Sequence, residues 1–220
     1  MVIGDLLEAE GRALAAERGP TGGEVVYVPL DVTRESDWDG AMAAAAARFG
    51  RLDILVNNAG IGGAGRLEDT RLEDWNRVMA VNATGVFLGT KAAIPALRQA
   101  GGGSIVNISS QLGLVGMDDS SPQYQASKGA VRLLTKLTAL QYAQGAHPRQ
   151  LGASQPHRDP DDGSAPRRPH RLRAHDFAHT PRPLRRGGGG RLRRAIPAPP
   201  DESRFVTGSE LVIDGGWTAQ

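Results

Sequence analysis

The sequence predicts an α/β protein in which a single domain is built on a doubly wound, Rossmann-like parallel sheet. Strand-like and helix-like segments alternate from the N-terminus to about residue 143. The strand-like runs are apolar throughout, as expected when a parallel sheet is covered on both faces. The chain has 220 residues and is 40% hydrophobic, which is enough for one such domain with a sizeable core.

The first elements alternate at short spacing. Residues 2–3 are predicted to end a strand, and residues 6–18 to form a helix. Residues 25–28 form the next strand, an alanine-rich helix covers residues 35–49, and residues 52–56 form a third strand. A helix between successive strands is the pattern of parallel crossovers.

The later elements are longer. Thr70 and Glu73 form a capping box, which predicts a helix from there to about residue 99. Residues 104–108 form the next strand, and Pro122 begins a helix that extends to about residue 144. We therefore expect a partial dinucleotide-binding domain over residues 1–143, to which residues 201–220 add the last strand and a tail.

Residues 144–200 differ in composition and are predicted to be irregular. They contain 12 of the 26 Lys and Arg residues but only four acidic residues, so the segment carries +8 and the remainder −6. Strand and helix periodicities are both missing, and Arg, Pro and Gly are abundant. Nucleic-acid binding is one interpretation, but only Phe177 interleaves the arginines for base stacking, so we expect no nucleic-acid partner.

Composition also excludes several classes of protein. The chain has no cysteine, so it has neither a disulfide framework nor a thiolate metal site, and we expect no metal. No apolar run approaches the ~20 residues that span a bilayer. Met1 is not followed by a basic and then apolar leader. The expectation is a cytoplasmic protein with no membrane partner.

Three residues in the second half could transfer a proton to or from a carbonyl oxygen. Lys128 lies four residues after Tyr124, so on a helix both side chains share one face. A free phenol titrates near ~10, and a nearby cation favours the phenolate, which would make Tyr124 a usable acid or base. Ser110 follows the strand of residues 104–108, where its hydroxyl could donate to a substrate oxygen. This pattern indicates alcohol–ketone redox chemistry.

The surrounding motifs resemble the short-chain dehydrogenase/reductase family. The resemblance covers roughly residues 1–142 and 201–220. The motifs are Asn57-Asn58-Ala59-Gly60, Asn82 in Val-Asn-Ala-Thr-Gly, Asn107-Ile108-Ser109-Ser110, Tyr124-Gln-Ala-Ser-Lys128, and residues 205–216. Their order and spacing together are far more specific than the Tyr and Lys spacing alone.

The resemblance implies a role for each matching residue. It implies that Tyr124 is the catalytic acid/base, that Lys128 assists it and binds the nicotinamide ribose, and that Ser110 orients the substrate. Asn82 would hold a water in the proton relay. The remaining matches imply cofactor contacts, from backbone at the adenosine end and from the pair flanking the adenine: Asn58, Ala59, Gly60, Asp31 and Val32.

Asp5 matches the acidic residue that accepts hydrogen bonds from the ribose 2′-hydroxyl. A carboxylate there repels a 2′-phosphate, so the expected cofactor is NAD in preference to NADP. Asp5 could equally be the N-cap of the helix that follows. Alternatives also exist elsewhere: Asn57 to Gly60 could be only a turn, Asn82 could merely bend a helix, and Ser110 could bond its own backbone.

Two pieces of the family pattern are missing from the sequence as written. The first strand and its glycine-rich phosphate loop should precede Asp5 by roughly 20 residues, but only four residues do. The sixth strand should lie in residues 144–200. We therefore expect an incomplete sheet that breaks into pieces, separates Asp5 and Asp31 from Tyr124, exposes apolar edges, and binds NAD poorly.

A shifted reading frame would explain the second gap. Codons for residues 144–164 can be chosen that, read one nucleotide later, spell Lys-Glu-x-Ile-Arg-Val-Asn-Ser-Val-His-Pro-Ser-Pro-Ile-Glu-Thr-Pro-Met-Thr-Ala. That string resembles the family's sixth strand and the stretch that contacts the nicotinamide. The hypothesis is a frameshift near Ala143, restored close to Asp201.

The leading function is an NAD-dependent oxidoreductase that interconverts a secondary alcohol and a ketone, with Tyr124 as acid/base. The alternatives are a catalytically defective remnant or non-catalytic interaction partner, and, last, an arginine-mediated nucleic-acid binder. The surroundings of Ser110 and Tyr124 faintly resemble members that act on cyclic alcohols or hydroxysteroids. The two long helices match those through which family members pair, which implies a homo-oligomer, either a dimer or a tetramer.

Overall fold

A computed structural model of the protein describes residues 1–142, 171–179, 207–214 and 218. Every strand pairing within these ranges is parallel. The strands are β1 (Val2–Asp5), β2 (Val26–Pro29), β3 (Ile54–Asn57), β4 (Gly102–Ile108), β5 (Arg171–His179) and β6 (Glu210–Ile213). The α-helices are α1 (Glu8–Gly22), α2 (Glu35–Phe49), α3 (Leu72–Met79), α4 (Gly85–Gln99) and α5 (Pro122–Tyr142). The predicted α/β class with a Rossmann-like parallel arrangement is confirmed.

The strands form two separate sheets. β1 pairs with β2 in register from Val2 opposite Val26 to Asp5 opposite Pro29. The other four strands lie in the order β3, β4, β5, β6. The division falls where the sequence predicts the first break, between β1 and β3. As an edge strand, β3 leaves Ile54 39% and Val56 53% exposed.

The second predicted break does not occur. β5 lies between β4 and β6 and pairs with both, from Gly102 opposite Arg171 to His179 opposite Ile213. The expectation of an irregular segment without a sixth strand is therefore corrected for residues 171–179. The physical reason is that β4 and β6 each present a row of backbone N–H and C=O groups, which a strand of almost any composition can satisfy. The rest of residues 144–200 lies outside the described ranges.

One hydrophobic core joins the two sheets. Leu30 follows β2 and Trp38 lies on α2, and both pack in a cluster with Leu55 of β3, Leu88 of α4 and Ile105 of β4. All five are at most 9% exposed. Full burial of a side chain of this kind stabilises by roughly 2 kcal/mol. The half of the fold that carries Asp5 and Asp31 is thus held to the half that carries Tyr124, contrary to the expected separation.

Two glycines allow the close approach at this junction. A Cβ on Gly85 would lie 2.9 Å from Val32 Cγ2, and one on Gly89 would lie 2.5 Å from Trp38 Cη2. The indole Nε1 of Trp38 also donates to the Val32 carbonyl at 3.0 Å. α4 therefore packs directly against the loop that follows β2.

The helix predicted over residues 70–99 begins later and is interrupted. Its N-cap is Arg71, and the Thr70 hydroxyl donates to the Arg66 carbonyl at 2.8 Å, so Thr70 and Glu73 do not form a capping box. A π-helical turn, Ala80–Thr84, separates α3 from α4. Such turns are rare and frequently mark functional positions.

Residues 72–99 are long and apolar enough to cross a membrane by length and composition, the one such stretch in the described ranges. Buried helices in a core pass the same test, so this is weak evidence. Leu97 and Ala93 of α4 are fully buried in the core that joins the two sheets. Their burial against the sheets accounts for the apolar composition.

Candidate active site

Ser110 lies where β4 ends and is almost fully buried, with 2% exposed. It caps a 3-10 turn, Gln111–Gly113: its Oγ accepts from Leu112 N at 3.2 Å, and its carbonyl accepts from Gly113 N at 2.9 Å. The alternative that the Ser110 hydroxyl bonds nearby backbone is thus observed for its oxygen, which accepts from Leu112 N. The hydroxyl proton has no acceptor among the residues described, so it can still donate to a ligand.

Tyr124 and Lys128 lie one turn apart on α5, as predicted. Lys128 Nζ lies 5.8 Å from the centroid of the Tyr124 ring. Lys128 is 4% exposed, and its ammonium donates to the Ile108 carbonyl at the end of β4, 2.8 Å away. Tyr124 is partly exposed, and its hydroxyl bonds none of the described residues. Lys128 thereby ties the tyrosine to the end of the strand that leads to Ser110.

A second contact fixes the same junction. The Ser109 hydroxyl donates to the Lys128 carbonyl at 2.9 Å. A Cβ on Gly113 would lie 2.7 Å from the Lys128 carbonyl oxygen, so only glycine fits where the 3-10 turn meets α5. Sequence reasoning missed this role of Ser109, which follows β4 and is as buried as Ser110.

Asn82 is fully buried in the π turn. Its Oδ1 accepts from Ile61 N at 2.8 Å, and its Nδ2 donates to the Ile61 carbonyl at 2.9 Å and to Ser127 Oγ at 3.0 Å. The Ser127 hydroxyl donates to the Tyr124 carbonyl at 2.7 Å. Asn82 therefore links the loop after β3 to the helix of Tyr124. Its side chain is committed to these partners.

The loop after β3 lies against this cluster. Asn58, Ala59 and Gly60 are exposed. A Cβ on Gly60 would lie 3.4 Å from Lys128 Nζ and 3.5 Å from Asn82 Oδ1. The structure thus brings Gly60, Asn82 and Lys128 together with the end of β4.

Asn57, next in the chain to this loop, has a structural position instead. Its Nδ2 donates to Asn107 Oδ1 at 2.8 Å and to Thr90 Oγ1 at 3.2 Å, and Asn107 Nδ2 donates to Thr135 Oγ1 at 2.8 Å. These side chains are at most 5% exposed. The network joins β3, β4, α4 and α5 beneath the candidate site, which the sequence did not reveal.

The other predicted cofactor residues lie at the carboxyl ends of β1 and β2. Asp31 Oδ1 accepts from the Thr33 hydroxyl at 2.7 Å and from Thr33 N at 2.9 Å, and these bonds, led by the hydroxyl, hold the pKa of Asp31 below its usual value. Val32 packs on Gly85. Asp5 is exposed, and its Oδ1 accepts from Leu7 N at 2.9 Å.

Asp5 is not the N-cap of α1. That position is Leu7, and the helix begins at Glu8. The carboxylate of Asp5 instead closes a short turn ahead of the helix, and its exposure leaves it accessible to a hydroxyl group of a ligand.

A cavity of about 300 Å³ lies beside the start of α5. Its walls come from the loop after β3 and from the segment between β4 and α5, and they combine apolar with charged side chains. The lining residues are Arg66, Leu67, Glu68, Met117, Asp118, Ser120, Pro122 and Gln125.

The fold and the residue cluster define the class of protein, an α/β enzyme whose ligand binds at the edge of its parallel sheet. Ser110, Tyr124 and Lys128 converge at the carboxyl edge of a parallel sheet, where ligands of open α/β sheets bind. Comparison with known proteins agrees: residues 1–146 match the family model described as short chain dehydrogenase. The chain belongs to the short chain dehydrogenase family.

Characterised relatives have related names. The chain is 38% identical to a 3-alpha-(or 20-beta)-hydroxysteroid dehydrogenase of Mycobacterium tuberculosis, with 100% of this chain and 80% of the relative covered. It is 40% identical to a trans-4-hydroxycyclohexanecarboxylate dehydrogenase of Sinomonas cyclohexanicum (100% and 83% covered). It is also 40% identical to a cyclopentanol dehydrogenase of Comamonas sp. (99% and 86% covered).

Solved structures show the same fold. A short chain dehydrogenase from Mycobacterium smegmatis superposes with a TM-score of 0.77 at 26% identity, covering 97% of this chain and 80% of that one. A gluconate 5-dehydrogenase from Burkholderia cenocepacia, in complex with NADP and tartrate, gives 0.73 at 25% identity, covering 100% and 85%. The protein is an oxidoreductase of the alcohol dehydrogenase or ketoreductase kind that uses a nicotinamide cofactor.

Proposed function

We propose that this protein is an NAD-dependent dehydrogenase that interconverts a secondary alcohol and a ketone, with Tyr124 as the acid/base. The observation that carries the proposal is the junction of α5 and β4. There Lys128 lies near the Tyr124 ring and donates to the Ile108 carbonyl, two residues before Ser110 in the chain.

The proposed chemistry assigns one task to each side chain. Tyr124 takes the hydroxyl proton of the alcohol as the carbonyl forms, and returns a proton in the reverse reaction. Ser110 donates its uncommitted proton to the substrate oxygen and so stabilises alkoxide character. When bound, a nicotinamide cofactor accepts or supplies the hydride. Asn82 and Ser127 hold Tyr124 in place through its backbone carbonyl.

The residues present fit parts of such a cofactor. Gly60 brings the loop after β3 close to Lys128, since a Cβ on Gly60 would lie 3.4 Å from Lys128 Nζ, the ammonium that would bind a ribose hydroxyl. Asn58, Ala59 and Gly60 offer exposed backbone, and Asp31 and Val32 lie at the end of β2. Asp5 offers an exposed carboxylate that would accept from a 2′-hydroxyl and repel a 2′-phosphate, which favours NAD over NADP.

For the substrate, we infer a cyclic secondary alcohol. The three relatives named above are dehydrogenases of a hydroxysteroid, a hydroxycyclohexane acid and cyclopentanol. The cavity beside the start of α5 also offers apolar contact from Leu67, Met117 and Pro122, among polar and charged lining residues.

The test is oxidation of cyclopentanol and cyclohexanol at millimolar NAD, followed as NADH formation. Tyr124→Phe keeps the ring over Lys128 and removes only the hydroxyl, so we expect kcat to fall about 10³-fold or more with the fold intact. Tyr142→Phe, which removes a hydroxyl at the far end of α5, is a matched control that should retain activity. Equal rates for Tyr124→Phe and the parent chain would reject the assignment.

We also infer self-association through α4 and α5. Leu133, Leu137 and Leu140 form an exposed apolar stripe on α5, 71%, 49% and 74% exposed, and Phe87 of α4 is 48% exposed. A stripe at this spacing on one helix face is typical of an interface. Sedimentation of the parent chain and of Leu137→Glu distinguishes a dimer or tetramer from a monomer. We place the enzyme in the cytoplasm, without a nucleic-acid partner.

A catalytically defective form is the second candidate. The observation that favours it is the division into two sheets, which interrupts the edge where the cofactor would lie. The proposed frameshift near Ala143 belongs to the same candidate and is tested by sequencing the gene through Asp201.

A further inference from the structure

A network outside the predicted catalytic set connects the last strand to Ser110. Arg132 lies one turn after Lys128 on α5, and its Nη1 donates to the Gly113 carbonyl at 2.6 Å. Its Nη2 donates to both carboxylate oxygens of Glu210 on β6, at 2.9 and 3.0 Å. Gly113 N in turn donates to the Ser110 carbonyl at 2.9 Å. The hydrogen bonds form a continuous path from β6 to Ser110.

The pair is sheltered enough to hold its geometry. The side chains of Arg132 and Glu210 are only 25% and 22% exposed. Arg132 Nε is buried without an acceptor among the described residues, so the guanidinium depends on Gly113 and Glu210. Charge-assisted bonds of this kind are stronger than neutral ones.

Lys136 gives the network an internal comparison. Its Nζ lies 2.7 Å from Glu210 Oε1, and its side chain is 45% exposed. Burial alone would raise the pKa of Glu210, but hydrogen bonds from Lys136 and Arg132 outweigh it and lower that pKa. Both cations therefore stabilise the carboxylate, whereas only Arg132 also reaches the turn after Ser110.

From this path we infer that Glu210 is a positioning residue for Ser110, acting through Arg132 and the Gly113 carbonyl. The inference rests on the proposed function, because Ser110 is the substrate-orienting hydroxyl there. With Glu210 in place, the guanidinium is oriented toward the turn. The turn then keeps Leu112 N on Ser110 Oγ, which fixes the direction of the remaining hydroxyl proton.

Backbone amide exchange tests the inference without depending on activity. In Glu210→Gln, we expect the Leu112 and Gly113 amides to exchange about tenfold faster than in the parent chain, because a hydrogen-bonded turn loses its anchor. Lys136→Met removes an ion pair with Glu210 but no contact to the turn, so it should leave both rates within about twofold. Exchange in α4 should be the same in all three chains.

Arg132→Lys supplies a milder variant if Glu210→Gln folds poorly. Lysine keeps the charge but lacks the fork that spans Gly113 and Glu210, so an intermediate increase is expected. Where turnover is measurable, Arg132→Lys should lower kcat about tenfold and leave KM for the nicotinamide cofactor unchanged.

Two results would overturn the inference. The first is unchanged exchange at Leu112 and Gly113 in both Glu210→Gln and Arg132→Lys. The second is an equal increase of these exchange rates in Lys136→Met, which would mean that the faster exchange comes from a general loss of charge. Loss of the proposed function looks different, because an inactive parent chain would still show the exchange pattern.

Discussion

At the scale of single residues, neighbours in one motif have opposite roles. Asn57 and Asn58 look equivalent in the sequence, yet Asn57 is 5% exposed and part of the core, whereas Asn58 is exposed at the candidate site. The strand explains the difference, because successive side chains point to opposite faces. The motif predicted cofactor contacts in the loop after β3, which stays a prediction, whereas the pairing of Asn57 with Asn107 spans 50 positions and cannot be predicted from local sequence.

The buried network gives a prediction at this scale. Asn107→Leu removes the acceptor of Asn57 and the donor to Thr135, and it leaves buried polar groups unpaired. We expect the free energy of unfolding to fall by roughly 2–4 kcal/mol. Urea unfolding monitored by circular dichroism measures it, with the exposed Asn76→Leu as control. A loss below about 0.5 kcal/mol would show that the network is dispensable.

At the scale of elements, most of the alternation was predictable and the boundaries were less so. The predicted helix over residues 35–49 is α2, which has the same bounds, because Gly50 ends it with a left-handed φ of 70°. The interruption before α4 was missed, since a π turn adds a residue without changing composition. β5 was missed because two strand edges recruit it, and the local pattern contains no such signal.

The contact of α4 with α2 gives the second prediction. A Cβ on Gly89 would lie 2.5 Å from Trp38 Cη2 and 2.4 Å from Asn57 Oδ1. Gly89→Ala should therefore lower the free energy of unfolding by roughly 1–3 kcal/mol. In the matched control Gly40→Ala on α2, a Cβ meets nothing within 4 Å, and the higher helix propensity of alanine should stabilise by up to ~1 kcal/mol. Chemical unfolding measures the free energy of unfolding of both variants, and a similar change in the two would contradict the packing argument.

At the scale of the whole molecule, one core holds together two sheets whose described strands do not pair with each other. The order of the motifs predicted the family and the gap between the sheets, whereas the shared cluster of Leu30, Trp38 and Leu55 depends on distant contacts that no local pattern reports. The carboxyl edge that would bind a dinucleotide is interrupted at that gap.

This arrangement gives the third prediction, on cofactor affinity. The glycine-rich stretch of residues 60–65 after β3 leads to no helix before α3 begins at Leu72, so it provides no helix N-terminus for a pyrophosphate, and the gap between the two sheets interrupts the edge beside it. We expect isothermal titration with NADH to give a Kd well above micromolar. Adenosine, which has no pyrophosphate, is the control, and we expect its Kd to be no more than about tenfold higher than that of NADH. Micromolar NADH affinity would refute the prediction.

The π turn at Ala80–Thr84 changes the direction in which the side chains of α4 point relative to those of α3. One inserted residue rotates everything after it by about 100° around the axis, so α3 and α4 turn different sides toward the sheets than an uninterrupted helix of this sequence would. Asn82 meets Ile61 and Gly89 meets Trp38 only under that rotation. Deleting a single residue from the turn would restore regular winding and leave α4 with the same side toward the sheets, so the loss would fall on the turn itself and on the bonds of Asn82 to Ile61 and Ser127.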